Sequence, residues 1–144
     1  MDPFTGRQRE LVLLQQVYES GHPELIAIYG RRRVGKTFLI QKFFSDKSLF
    51  VEIVGSRKAK ISEQLFNFAR VLEKTFSKST PLDTPKNWPA AFELLLQAIE
   101  KSQVQSRIVI FFDELPWLAS TKSGFLSTLE YYWNRYFSKD PRII

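Results

Sequence analysis

The sequence predicts an α/β protein built on an open parallel sheet with helices on both faces. Apolar runs of strand length alternate with stretches of helical periodicity, which is how successive strand–helix units read. Arg107-Ile108-Val109-Ile110-Phe111-Phe112 is nearly continuous in apolar residues, as expected of a strand covered on both faces. A third run, Leu25-Ile26-Ala27-Ile28-Tyr29, leads straight into a glycine-bearing loop and then a helix.

The elements follow in order. Gln8 to Glu19 is predicted helical, with Leu11, Leu14 and Val17 or Tyr18 on one face, and Gly21 and Pro23 stop it. Leu25 to Tyr29 is expected as a buried strand, and Phe38 to Phe44 as a helix. Ser48 to Gly55 reads as the second strand. The next helix carries Ile61, Leu65, Phe68, Leu72 and Phe76 at steps of three and four, the spacing of a core-facing stripe. Ser77 to Asn87 holds two prolines and many small polar residues and is a loop. Trp88 to Ser102 is a helix, Arg107 to Phe112 the third strand, and Phe125, Leu129, Tyr132, Trp133 and Tyr136 mark the face of a last helix. No internal repeat is present.

The loop after Tyr29 carries chemistry. Gly30-Arg31-Arg32-Arg33-Val34-Gly35-Lys36-Thr37 fits the phosphate-loop pattern Gly-x4-Gly-Lys-[Ser/Thr] between a strand and a helix. Glycines let the backbone turn its N–H groups inward, and the helix N-terminus adds its positive dipole end. Lys36 is placed to reach the β- and γ-phosphates, and the Thr37 hydroxyl to ligate Mg2+. The pattern implies a nucleoside triphosphate and a P-loop NTPase-type sheet.

Composition narrows the rest. The 144 residues are 44% hydrophobic with 13 Phe, which excludes intrinsic disorder and suits one domain. The absence of Cys removes disulfides and thiolate metal sites and suits a cytoplasmic protein. No signal-peptide pattern opens the chain, and no apolar run approaches a membrane span. The net charge of +6 invites nucleic acid as a partner, but Arg31, Arg32, Arg33 and Lys36 already explain part of it. Arg57, Lys58 and Lys60 read as a solvated face. Trp88 and Trp117 read as packing residues, and His22, beside Pro23, as structural.

The third strand runs into Asp113-Glu114. Downstream of a phosphate loop, the first carboxylate is expected to hold Mg2+ next to Thr37, and the second to orient the water attacking the γ-phosphate. A regulatory GTPase would carry Asp-x-x-Gly here, but position 116 is Pro116, and there is no Asn-Lys-x-Asp stretch for guanine. ATP is therefore the expected nucleotide.

Taken together, Tyr29-Gly30-Arg31-Arg32-Arg33-Val34-Gly35-Lys36-Thr37 and Phe112-Asp113-Glu114-Leu115-Pro116-Trp117-Leu118 resemble the archaeal-type ATPases of the AAA-plus/STAND group. Phe4-Thr5-Gly6-Arg7 resembles that family's N-terminal hydrophobic-hydrophobic-Gly-Arg box, with Thr5 in place of an apolar residue. The resemblance covers essentially the whole chain. It implies adenine contacts from Phe4, Gly6 and Arg7, nucleotide contacts from Gly30 through Phe38, Mg2+ at Thr37 and Asp113, and catalytic roles for Lys36 and Glu114.

The resemblance also implies that residues 1–144 are the N-terminal part of a longer ATPase core. The family's next strand, with a sensor residue, lies between the strand entering the phosphate loop and the strand ending in the acidic pair. Only Arg142-Ile143-Ile144 could begin it. The expected function is binding of Mg-ATP and, in the complete protein, its hydrolysis to drive a conformational switch. The alternatives are a switch without significant turnover and the motor core of a nucleic-acid translocase. The chain alone is expected to be a weak ATPase whose incomplete sheet pairs Arg142–Ile144 as a stub, closes its gap, or borrows a strand from another copy. Any protein partner would bind through the region after residue 144.

Overall fold

Apolar side chains spaced three and four apart draw α3 (Ile61–Thr75) onto one face of a parallel strand pair, and that contact organises the molecule. The computed structural model describes residues 8–28, 35–76, 81–120 and 122–144. The remaining elements are α1 (Gln8–Glu19), α2 (Lys36–Phe44), β1 (Leu49–Val54), α4 (Trp88–Lys101), β2 (Ile108–Asp113), α5 (Leu115–Leu118), α6 (Phe125–Arg135) and a 3-10 turn at Phe137–Lys139. β1 and β2 pair in parallel, in register from Leu49 opposite Ile108 to Val54 opposite Asp113.

Strand alternation sends side chains to two cores. Val51, Ile53 and Ile108 point toward α3, α4 and α6, where an aromatic cluster is centred on Phe92. Phe92 stacks on Phe68 and Phe112 and meets Trp88 and Phe125 edge to face. Such geometries add about 0.5–1.5 kcal/mol per pair beyond the area they bury. Phe50, Val109 and Phe111 face the other way, onto Leu14 of α1 and Leu39, Ile40, Phe43 and Phe44 of α2. Helices thus cover both faces of a parallel sheet, as the sequence predicts.

The helix bounds agree closely with expectation. Asn87 caps α4 by accepting from the Ala90 N–H at 2.8 Å, with Pro89 just inside the helix start. Trp88 is buried, as a packing residue should be, whereas Arg57, Lys58 and Lys60 are solvent-facing. The short helix α5 has no counterpart in the sequence reading.

One expectation is corrected. Leu25 to Ile28 does not form a strand, and it is not buried: Leu25 is 60% exposed and Ile28 38%. Tyr29 lies outside the described residues. The physical reason is that, among the described residues, no ladder partner lies alongside it. Where the neighbouring position is filled, pairing occurs: Ile108 and Ile110 donate to the Arg142 and Ile144 carbonyls, Ile144 donates back to Ile108, and Glu24 donates to Ile143. Arg142–Ile144 therefore pairs as a stub between β2 and the start of the 24–28 segment, the first of the three arrangements expected. A groove of about 1350 Å³ lies between Leu25–Ile28 and β2.

Arg142 holds the stub in place. Its guanidinium donates to the carbonyls of Ile99, Ser102 and Val104 around the end of α4, and it is ion-paired with Asp140 at 2.9 Å. The carbonyls at a helix C-terminus lack helical partners and carry its negative dipole end, so a cation there is favoured twice.

Candidate functional site

The carboxyl end of β2 and the first turn of α2 meet at one corner of the groove. Gly35 precedes α2 with φ 85° and ψ 11°, the left-handed conformation that glycine adopts without a Cβ penalty. Its carbonyl accepts the Leu39 N–H at 2.9 Å, closing the first helical turn over Lys36, Thr37 and Phe38. The positive dipole end of α2 and the Lys36 ammonium make this corner attractive to an anion. Phe38 is 45% exposed at its edge.

The side chain of Asp113 is buried at the last position of β2, on the sheet face that looks toward α2. The Thr37 hydroxyl donates to its Oδ2 at 2.9 Å, across 76 residues of sequence. Its Oδ1 accepts the Glu114 N–H at 3.0 Å. A second polar link lies one turn along α2, where the Gln41 amide donates to both carboxylate oxygens of Glu52, at 3.0 and 2.7 Å. The pair Thr37 and Asp113 fits a small hard cation. One hydroxyl and one carboxylate side by side leave the other coordination positions to water and phosphate oxygens, which is how Mg2+ is held at nucleotide sites. Among the described residues no cluster of three or more carboxylate or imidazole groups offers an all-protein cage.

Glu114 follows directly, with φ 55° and ψ 46°. A left-handed conformation in a residue with a Cβ costs about 1–3 kcal/mol and persists only where its surroundings impose it. Gly55 and Gln64 lie beside this turn. A Cβ built on Gly55 would fall 2.6 Å from the Glu114 carbonyl oxygen and 3.0 Å from the Leu118 side chain, so only glycine lets the two backbones approach this closely. Gln64, one turn into α3 and only 5% exposed, donates to the Trp117 carbonyl at 3.0 Å and accepts the Ser56 N–H at 3.2 Å. The sequence reading missed both residues. Gln64 had left a signal, being a polar side chain within the apolar stripe that includes Ile61, Leu65 and Phe68.

The structure thus brings Lys36, Thr37, Phe38, Asp113 and Glu114 to one corner of the groove. Phe4, Gly6, Arg7, Gly30, Arg31, Arg32, Arg33 and Val34 lie outside the described residues. Among the described residues, no helix is long and apolar enough to cross a membrane.

Comparison with known proteins gives two relatives and a family. An uncharacterized ATP-binding protein of Methanocaldococcus jannaschii is 46% identical over 46 residues, which cover 32% of this chain and 78% of that protein. An uncharacterized protein of the same organism is 29% identical over 129 residues, 88% of this chain and 25% of its own length. The chain therefore spans about a quarter of the second relative. No solved structure matches it. The family described as an ATPase domain predominantly from Archaea matches residues 4–143, nearly the whole sequence, and the chain belongs to that family.

Proposed function

We propose that this chain binds ATP with Mg2+ at the corner between α2 and β2, as the nucleotide-binding part of an ATPase of the AAA-plus/STAND type. The observation that carries the reading is the Thr37–Asp113 hydrogen bond of 2.9 Å, which sets a hydroxyl at the start of α2 beside a buried strand-end carboxylate. Membership of an ATPase family and likeness to a protein named for ATP binding support it.

Each residue has a task on this reading. The α2 N-terminus and Lys36 bind the β- and γ-phosphates, and Lys36 offsets charge developing on the γ-phosphoryl oxygens. Thr37 and Asp113 hold Mg2+, which when bound neutralises phosphate charge. Glu114 accepts a hydrogen bond from the water that attacks the γ-phosphorus in line, so that the P–O bond to the β-phosphate breaks and ADP leaves. The nucleotide energy then drives a conformational switch in the complete protein.

A fluorescent ATP analogue titrated into the full-length protein tests the binding claim. Lys36→Ala should abolish binding, and equal affinity in the two proteins would overturn the assignment. Glu114→Gln should bind ATP normally while hydrolysing it ~10²-fold more slowly or worse.

A further inference from the structure

We infer that Gln64, together with Gly55, is a positioning device for Glu114 that fixes the backbone from which this carboxylate reaches the attacking water. The inference rests on the role proposed for Glu114 above.

Three observations combine. Glu114 is held in a left-handed conformation, φ 55° and ψ 46°, that places its side chain on a different course from a strand continuation. Its N–H is pinned to Asp113 Oδ1 at 3.0 Å, and its carbonyl accepts the Trp117 N–H at 3.0 Å. The peptide that carries it lies against Gly55, whose own N–H continues the sheet by donating to the Asp113 carbonyl at 2.9 Å. Gln64 then ties the two turns together. Its amide oxygen accepts the Ser56 N–H just after Gly55, and its amide nitrogen donates to the Trp117 carbonyl at the far side of Glu114.

A buried glutamine with both ends satisfied is a rigid strut, because either bond lost would leave a desolvated polar group behind. Its two partners sit on the two turns that pack around Glu114. A shift in either turn rotates the Glu114 peptide, and misplacement of a catalytic group by about 1 Å can cost ~10²-fold in rate. The strut acts on aim rather than on affinity, because the phosphate-facing groups of α2 lie outside it.

Gln64→Met keeps length and helix propensity but removes both hydrogen bonds. In the full-length protein it should lower kcat by at least ~10-fold, with ATP affinity held within about twofold. The diagnostic step is to repeat the substitution in a Glu114→Gln background, where the further loss should vanish because there is no carboxylate left to aim. Unchanged kcat in a folded Gln64→Met protein would overturn the inference. So would a loss that multiplies in full in the Glu114→Gln background, since Gln64 would then act on something else. If Gln64→Met fails to fold, Gly55→Ala is read by the same two criteria, its methyl group displacing the Glu114 carbonyl directly. Wild-type turnover in Glu114→Gln alone would instead bring down the role of Glu114 and this inference with it, an outcome separable from the others by that single variant.

Discussion

The two edges of β2 are treated very differently. One is paired along its whole length with β1, six residues against six, and backs onto the Phe92 aromatic cluster. The other is met, among the described residues, by Arg142–Ile144 alone, and the groove lies opposite Leu25–Ile28. Apolar content does not separate the two regions, since Leu25-Ile26-Ala27-Ile28 is as apolar as Phe50-Val51-Glu52-Ile53. What separates them is the presence of a hydrogen-bonding neighbour. A strand's backbone needs a ladder as much as its side chains need a core. The corner proposed to bind phosphate sits where the two regions meet, with Asp113 at the end of the paired strand and Lys36 lining the groove.

The sharpest way to break this comparison is to make a similar truncation on both sides. Phe68→Ala, in the closed core of α3, should destabilise the protein by about 3–5 kcal/mol in urea or thermal unfolding. Leu25→Ala, at 60% exposure, should change stability by no more than about 0.5 kcal/mol. Comparable losses at the two positions would mean that the open side is not open in solution.

A smaller effect is expected at the stub. Arg142→Ala removes the bonds to three carbonyls and the Asp140 ion pair, and should cost about 1–3 kcal/mol. Amide hydrogen exchange gives the sharper readout. The Ile108 and Ile110 N–H groups, which donate to Arg142 and Ile144, should exchange faster in the variant, while amides in the β1–β2 ladder stay protected. Uniform loss of protection along both strands would merge the two edges into one cooperative unit.

The smallest effect is one of pH. Burial alone would raise the Asp140 carboxyl, but hydrogen bonds from the Arg142 side chain and backbone, with its charge, hold it below the ordinary aspartate value of 3.8. A depressed folded-state value stabilises the fold above the unfolded value and is lost as pH falls through the folded one. Asp140→Asn should therefore be less stable than wild type at neutral pH, and the gap should close in the acid range below about pH 4. A gap that persists unchanged at lower pH would assign the stabilisation to shape rather than charge.

Much of this was legible in the sequence because it is local. The stripe from Ile61 through Leu65, Phe68 and Leu72 fixes α3 and its buried face, and Asn87 with Pro89 starts α4. Asp113 could be paired with Thr37 because the strand-end carboxylate and the phosphate loop recur together in a known arrangement. The expected strand is absent over Leu25–Ile28 for the opposite reason. An apolar run announces side chains that favour burial but says nothing of which segment lies alongside, and its neighbours here, Ile143 and Ile144, come more than a hundred residues later. The left-handed turn at Glu114 was equally hidden. Asp-Glu-Leu-Pro contains no glycine to announce positive φ, and the room for its carbonyl is left by Gly55, nearly sixty residues upstream.

The Trp88 side chain, buried in the closed core, has a practical consequence when set beside the other two tryptophans, Trp117 and Trp133, which line the groove. The molecule carries its own optical reporters, one in the aromatic interior and two beside the open channel. A soluble collisional quencher should reach the half-buried Trp117 and Trp133 more readily than the fully buried Trp88. Ring-edge contact with Phe125 at 4.9 Å, and Arg57 over the Trp117 ring at 5.7 Å, give the two populations chemically different surroundings. Changes at the groove and melting of the interior can therefore be followed in one cuvette, with no label added to the protein.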